Sequence, residues 1–283
     1  MMKHWIGLIA VLLLTTACTK EATNGKPIIT VSLLPEKYFV EQMTGDWAEV
    51  HVLVPYGNNP EAYDPTPKDI AKLHSSKTYL AIGTLPFEQQ WIRSLPDSVT
   101  LVNIAERMPH DLIHGDHEEH GHVHQFGDPH YWTSLTGGEA MAEVIREALA
   151  ELFPDRAEEI RQNYEANLAP TLTEIAEYGQ SVLGQRDSLA FVIYHPSLSL
   201  FAEEWGLRQL AIEEHGREPS VKHLIALIDE ARKWDTRVVF IQREFDTKSV
   251  ESIASDLRIH RVVIDPLAED WAAEMRSIIS QFE

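Results

Sequence analysis

Cysteine is nearly absent: the 283-residue chain has one, Cys18. An intrachain disulfide is excluded, and so is a zinc site built on several thiolates. Basic residues are scarce beside acidic ones, 24 Lys and Arg against 44 Asp and Glu, for a formal charge of −20. Nucleic acid is held by cationic surface that neutralises phosphates, so that class of partner is ruled against, whereas cations are favoured company. The N-terminal apolar run, Trp5–Leu14, is about half the ~20 residues that a helix needs to cross a bilayer. There is no Gly-x-Ser-x-Gly nucleophile elbow, and the only Gly-Lys pair, Gly25-Lys26, belongs to no phosphate-binding loop. What the chain does have is a 44% hydrophobic content, enough for a buried core in one large or two smaller domains, and 14 histidines.

The first twenty residues carry Lys3, the apolar run, and then Thr15, Thr16 and Ala17 before Cys18. That is the layout of a secretory signal peptide over residues 1–17. A lone cysteine after small residues resembles a bacterial lipoprotein cleavage site, although Thr15 stands where leucine is usual. The resemblance implies that Cys18 becomes a lipid-carrying N-terminus, with residues 18–26 as a polar tether and the protein on the extracytoplasmic side of a membrane.

Downstream, short β-rich runs alternate with helical patterns. Ile28–Leu34 reads as a strand closed by Pro35, followed by a helix over Tyr38–Met43 and a strand at Val50–Val54. Thr66 and Pro67 start a helix, and strands follow at Thr78–Ile82 and Val99–Asn103, with a helix at Phe87–Leu95 between them. A second alternation runs from the strand Ala190–Tyr194 to the strand Arg261–Ile264, closed by a helix over Trp271–Phe282. Within it, Pro219–Trp234 reads as a helix with Val221, Leu224, Ile225 and Ile228 on one face. Between the two alternations Gly137–Phe153 is helical. Asp155–Leu183 keeps helical spacing for roughly 40 Å, with Pro170 predicting a kink or restart. The pattern predicts an α/β protein: a lobe over residues 27–154, a linking helix over 155–185 and a second lobe over 186–283, each with a parallel sheet.

Residues 110–126 break this pattern. His110, His114, His117, His120, His122 and His124 lie among Asp111, Asp116, Glu118 and Glu119 with no apolar period, which predicts a polar loop whose neutral imidazoles can bind metal. His117-Glu118-Glu119-His120 does not have the spacing of the zinc-protease helix, whose histidines stand four apart. Four other residues sit where strands end or loops begin, each close to a proline: Glu61, His130, His195 and Asp265. Loops at the carboxyl ends of parallel strands are where α/β folds hold ligands, and two imidazoles with two carboxylates can close a site around a divalent cation.

Taken in order, Tyr63-Asp64-Pro65-Thr66-Pro67-Lys68-Asp69-Ile70, Asp128-Pro129-His130-Tyr131-Trp132, Tyr194-His195-Pro196-Ser197, Glu218-Pro219-Ser220 and Asp265-Pro266-Leu267 resemble the metal-binding lipoproteins of bacterial ABC importers for zinc and manganese. The resemblance covers nearly the whole mature chain. It implies two α/β lobes joined by one long rigid helix, with metal in the cleft between them. The family's four ligand positions are matched by Glu61, His130, His195 and Asp265. It also implies a monomeric receptor without enzymatic activity that serves an ABC permease and its ATPase.

One position departs from the pattern. Pro60-Glu61-Ala62-Tyr63 stands where the family has Pro-His-x-Tyr, so either Glu61 ligates through oxygen or three residues ligate with water or a neighbour completing the shell. Oxygen donors suit Mn²⁺ (iron is a further alternative), while the His-rich loop goes with the family's zinc members. The loop outweighs the single substitution, and Zn²⁺ is the expected cargo. A periplasmic zinc buffer, an adhesin or a metallohydrolase are the rival readings.

Overall fold

The computed structural model describes residues 25–114, 129–184, 188–214, 217–243, 245 and 248–283, without the side chains of residues 114, 248 and 249. Cys18, His117, His120, His122 and His124 lie outside the described residues, as does the side chain of His114.

The elements run β1 (Ile28–Val31), α1 (Leu34–Thr44), β2 (Glu49–Val52), α2 (Pro67–His74), β3 (Thr78–Ala81), α3 (Pro86–Ile92), β4 (Thr100–Asn103), α4 (Ile104–Arg107), α5 (His110–His114) and α6 (Leu135–Leu152). They continue with α7 (Ala157–Asn163), α8 (Ala169–Leu183), β5 (Leu189–Ile193), α9 (Ser199–Glu204), β6 (Arg208–Ala211), α10 (Val221–Ala231), β7 (Asp235–Gln242), α11 (Lys248–Leu257), β8 (His260–Ile264) and α12 (Trp271–Ser280).

Two four-stranded sheets result, ordered β2-β1-β3-β4 and β6-β5-β7-β8, with every described pairing parallel. The two orders are the same, second-first-third-fourth, so corresponding strand ends of the two lobes can be compared directly. Central strands β3 and β5 are buried along their whole length, as expected of strands covered on both faces.

Pro35 does not close a strand. It lies in the first turn of α1, where its missing N–H costs nothing, and the strand stops earlier, at Val31. Helix α10 buries Leu227 and Ala231, while Val221 and Ile225 are 74% and 58% exposed, so the apolar face read from the sequence is only partly the packed one. Between the sheets a helical run joins α7 to α8 through a π-helical turn at Tyr164–Leu168, just before Pro170. The wider turn relieves the clash that a proline ring makes with the preceding turn. Thr171 Oγ1 donates to Asn167 O at 2.8 Å, so a side chain occupies a carbonyl there.

The lobes meet along a seam that both halves hydrogen-bond. Trp132 Nε1 donates to Pro266 O (3.0 Å), Trp271 Nε1 donates to Trp132 O (2.6 Å), and Thr133 Oγ1 donates to Ser197 O (2.6 Å). Trp271 reaches this seat because α6 has Gly138 beneath it: a Cβ there would stand 2.4 Å from the indole Cζ2. Lys37 of α1 pairs with Glu269 across the same boundary.

Candidate metal centre

Three side chains from three separate loops converge at the seam. Glu61 follows β2, and its backbone N–H donates to Asn59 Oδ1 at 2.9 Å, an Asx-type turn that aims the side chain inward. His130 opens a short 3₁₀ turn at Tyr131–Thr133. Thr84 Oγ1 grips the neighbouring Pro129 carbonyl at 2.9 Å, and Tyr131 anchors the turn through its hydroxyl to Ile82 O at 2.9 Å. His195 leaves β5, where its N–H donates to Gln242 Oε1 at 2.8 Å. The Phe245 ring stacks on its imidazole at 5.2 Å and 18°.

The reactive atoms form a near-regular triangle. His195 Nε2 is 3.2 Å from His130 Nε2 and 3.3 Å from Glu61 Oε1, and His130 Nε2 is 3.5 Å from Glu61 Oε1. Zinc bonds of ~2.0–2.1 Å in a tetrahedron set ligand atoms about 3.3 Å apart, so these edges match three vertices of such a shell. The imidazoles are buried, and Glu61 keeps a 33% exposed side chain. Among the described residues this is the only trio of His, Cys, Asp or Glu gathered tightly enough to share an ion.

Asp265, expected as a fourth ligand, is not in the trio. Its Oδ1 accepts from Leu267 N at 3.2 Å, closing a turn after β8, and its Oδ2 lies 4.0 Å from Arg243 Nε, whose guanidinium sits over the Tyr56 ring. The carboxylate thus lies in a local turn near a cation. His110 is exposed at the start of α5.

Sequence reading missed Glu213. Its Oε2 lies 3.1 Å from His195 Nδ1, with both side chains under a tenth exposed. Glu213 has no neighbouring proline; its one signal is an acidic residue directly after the mostly apolar run Gln209–Ile212.

The electrostatics are those of an ion pair awaiting a stronger cation. Burial disfavours charge on both partners, but hydrogen bonds from His130 and His195 hold Glu61 far below the usual carboxylate range. His195 is likewise opposed by burial, yet Glu213 and Glu61 push it up to about 9. A divalent ion held by Glu61, His130 and His195 would take the place of the proton on His195 Nε2.

The sequence profile of the family described as zinc-uptake complex component A, periplasmic (ZnuA), matches residues 29–283. The chain belongs to this family. The zinc-binding lipoprotein AdcA of Streptococcus pneumoniae (strain ATCC BAA-255 / R6) is 25% identical over 276 residues, spanning 92% of this chain and 54% of its own length. The chain thus spans about half of the AdcA relatives it matches. The high-affinity zinc uptake system protein ZnuA of Bacillus subtilis (strain 168) is 25% identical over 291 residues, covering 94% of this chain and 90% of that one. A crystal structure of ZnuA aligns with a TM-score of 0.80 at 33% identity, over 91% of this chain and 98% of the other. The two-lobed parallel α/β architecture is therefore the ZnuA fold.

Proposed function

We propose that the chain is an extracytoplasmic receptor that captures Zn²⁺ between its lobes and hands it to an ABC permease driven by its ATPase. The observation that carries this reading is the triangle of two imidazole nitrogens and one carboxylate oxygen, with edges of 3.2–3.5 Å, gathered at the seam. The names of the relatives support zinc as cargo. The lobes supply coordination and dehydration, and the chain does no covalent chemistry. Cys18 carries the lipid that holds it at the membrane surface. The cluster His110, His114, His117, His120, His122 and His124 collects zinc for the main site as a weaker, auxiliary store.

A manganese receptor is the second reading, favoured by one feature, the oxygen donor Glu61 where the sequence pattern leads one to expect histidine. Calorimetric titration of the metal-free protein with Zn²⁺ and with Mn²⁺, alone and in competition, separates them. Zinc is expected to bind one tight site and displace manganese. Tight manganese binding that zinc does not displace selects the second reading, and no tight binding of either ion overturns both.

A further inference from the structure

We propose that Glu213 is a positioning residue for metal capture: its carboxylate accepts the Nδ1–H of His195 and so turns the Nε2 lone pair into the ion triangle, without touching the ion itself. The proposal rests on the zinc-receptor reading above.

The two ring nitrogens of His195 have different surroundings. Nε2 faces the triangle, 3.2 Å from His130 Nε2 and 3.3 Å from Glu61 Oε1. Nδ1 faces away from it, 3.1 Å from Glu213 Oε2. A carboxylate at one nitrogen retains the proton there, which leaves the other nitrogen free to ligate. Such carboxylate–imidazole pairs fix ring orientation and make the ligating nitrogen more basic.

Glu213 is placed by the backbone. The parallel ladder of β5 and β6 continues beyond the strand ends: Ile212 N donates to Ile193 O at 2.8 Å, and Glu213 N donates to Tyr194 O at 3.0 Å. The two segments thus travel side by side until one reaches His195 and the other Glu213. Both side chains are buried, 7% and 8% exposed, so the hydrogen bond is shielded from water competition. Glu213 is not in the group of potential ligands, and to become one it would have to abandon Nδ1. Gln242 adds a second brace, accepting from His195 N and donating to Ser197 Oγ at 2.7 Å. The imidazole is thereby fixed at its backbone and at its outer nitrogen.

The test compares wild type, Glu213→Gln, Glu213→Leu and His130→Ala, each as the full chain. Zinc affinity is measured by competition with a chromophoric chelator, and the His195 ring by ¹⁵N-detected NMR of the zinc-loaded protein. The expected result is an affinity loss of about 10–100-fold for Glu213→Leu and a smaller one for Glu213→Gln, which keeps an acceptor of the same shape. Wild type should show a protected His195 Nδ1–H and a metal-bound Nε2, and Glu213→Leu should lose that protection. The visible spectrum of the Co²⁺-loaded protein should keep its shape in Glu213→Gln, since no ligand has gone. Two results would overturn the proposal: wild-type affinity in both Glu213 variants, or a changed coordination spectrum in Glu213→Gln, which would make Glu213 a ligand. If wild type itself binds no zinc, or His130→Ala binds as tightly as wild type, the receptor reading fails instead.

Discussion

Carboxylates in the core of the first lobe and at the seam behave in opposite ways. Glu36 and Glu88 lie in the core of the first lobe, 0% and 1% exposed. Each is the third residue of a helix that starts with a proline in its first turn. Glu36 Oε2 accepts from Ser32 N (2.9 Å) and Leu33 N (2.8 Å), and Glu88 Oε2 accepts from Gly83 N (2.8 Å) and Leu85 N (3.1 Å). Ser32 and Tyr79 complete the surroundings of Glu88. Burial, with Glu88 nearby, pushes Glu36 well above the usual carboxylate range, and burial also raises Glu88. Glu61 is less buried and goes the other way, because its partners are imidazoles that take a positive charge. Depth alone therefore does not mark an ion site. Backbone amides make a buried acid a helix cap, and basic side chains at the lobe boundary make one a candidate ligand.

That contrast can be broken most forcefully at the imidazoles. His195→Ala is expected to lower zinc affinity some hundred- to thousandfold, roughly the 3–4 kcal/mol share of one ligand in a zinc site. Calorimetry or chelator competition measures it, and wild-type affinity in this variant would remove the site from the triangle. Glu61→Gln should cost less, about tenfold to a hundredfold, because water can take the place of a partly exposed oxygen. Its effect should be larger on manganese than on zinc in the same competition.

The pH dependence sharpens the comparison from the ion's side. With His195 pushed up to about 9, zinc must expel a proton at neutral pH. Apparent affinity should fall by about tenfold for each pH unit below that value. In the metal-free protein the sign is reversed: the raised imidazole stabilises the fold fully below its ordinary value and loses that contribution as pH rises through about 9. Thermal melts across pH 6–10, with and without zinc, should diverge on the alkaline side, and parallel curves would contradict the pairing.

The smallest effect is expected at the helix cap. A carboxyl raised in the folded state favours folding below its ordinary value and costs stability as pH climbs toward its folded value, at up to about 1.4 kcal/mol per unit. Glu36→Gln keeps an oxygen acceptor for the two amides and should flatten the pH slope of urea unfolding between pH 5 and 8 while leaving zinc affinity unchanged. An unaltered slope would mean that Glu36 does not carry the strain of burial.

Much of this was legible in the residues. The strand runs, their alternation with helices and the two-lobed plan follow from apolar patterning. Glu61, His130 and His195 were marked by standing near prolines at strand or loop boundaries. Asp265 carries the same mark, and its place in a turn beside Arg243 is visible only through three-dimensional neighbours. Glu213 has no local mark; the ladder between β5 and β6 brings it to His195, and strand register is a long-range property. Pro35 misled because a proline after a β-rich run can stop a strand or start a helix, and the choice lay with Glu36, whose carboxylate caps the new helix. Val221 and Ile225 show the limit of periodicity: it identifies a stripe, while packing decides how much of it is covered.

The indole stitching across the seam has a kinetic consequence. Pulling the lobes apart would break two buried indole hydrogen bonds, a net loss of about 0.5–1.5 kcal/mol each, together with that of the Thr133 hydroxyl. Rotating one partly exposed glutamate strands nothing comparable, since water can solvate it. If the chain carries metal as proposed, cargo residence time would be governed by a single side-chain rotation at Glu61, and a partner that draws this carboxylate outward would hasten unloading while both walls of the cleft stay in place.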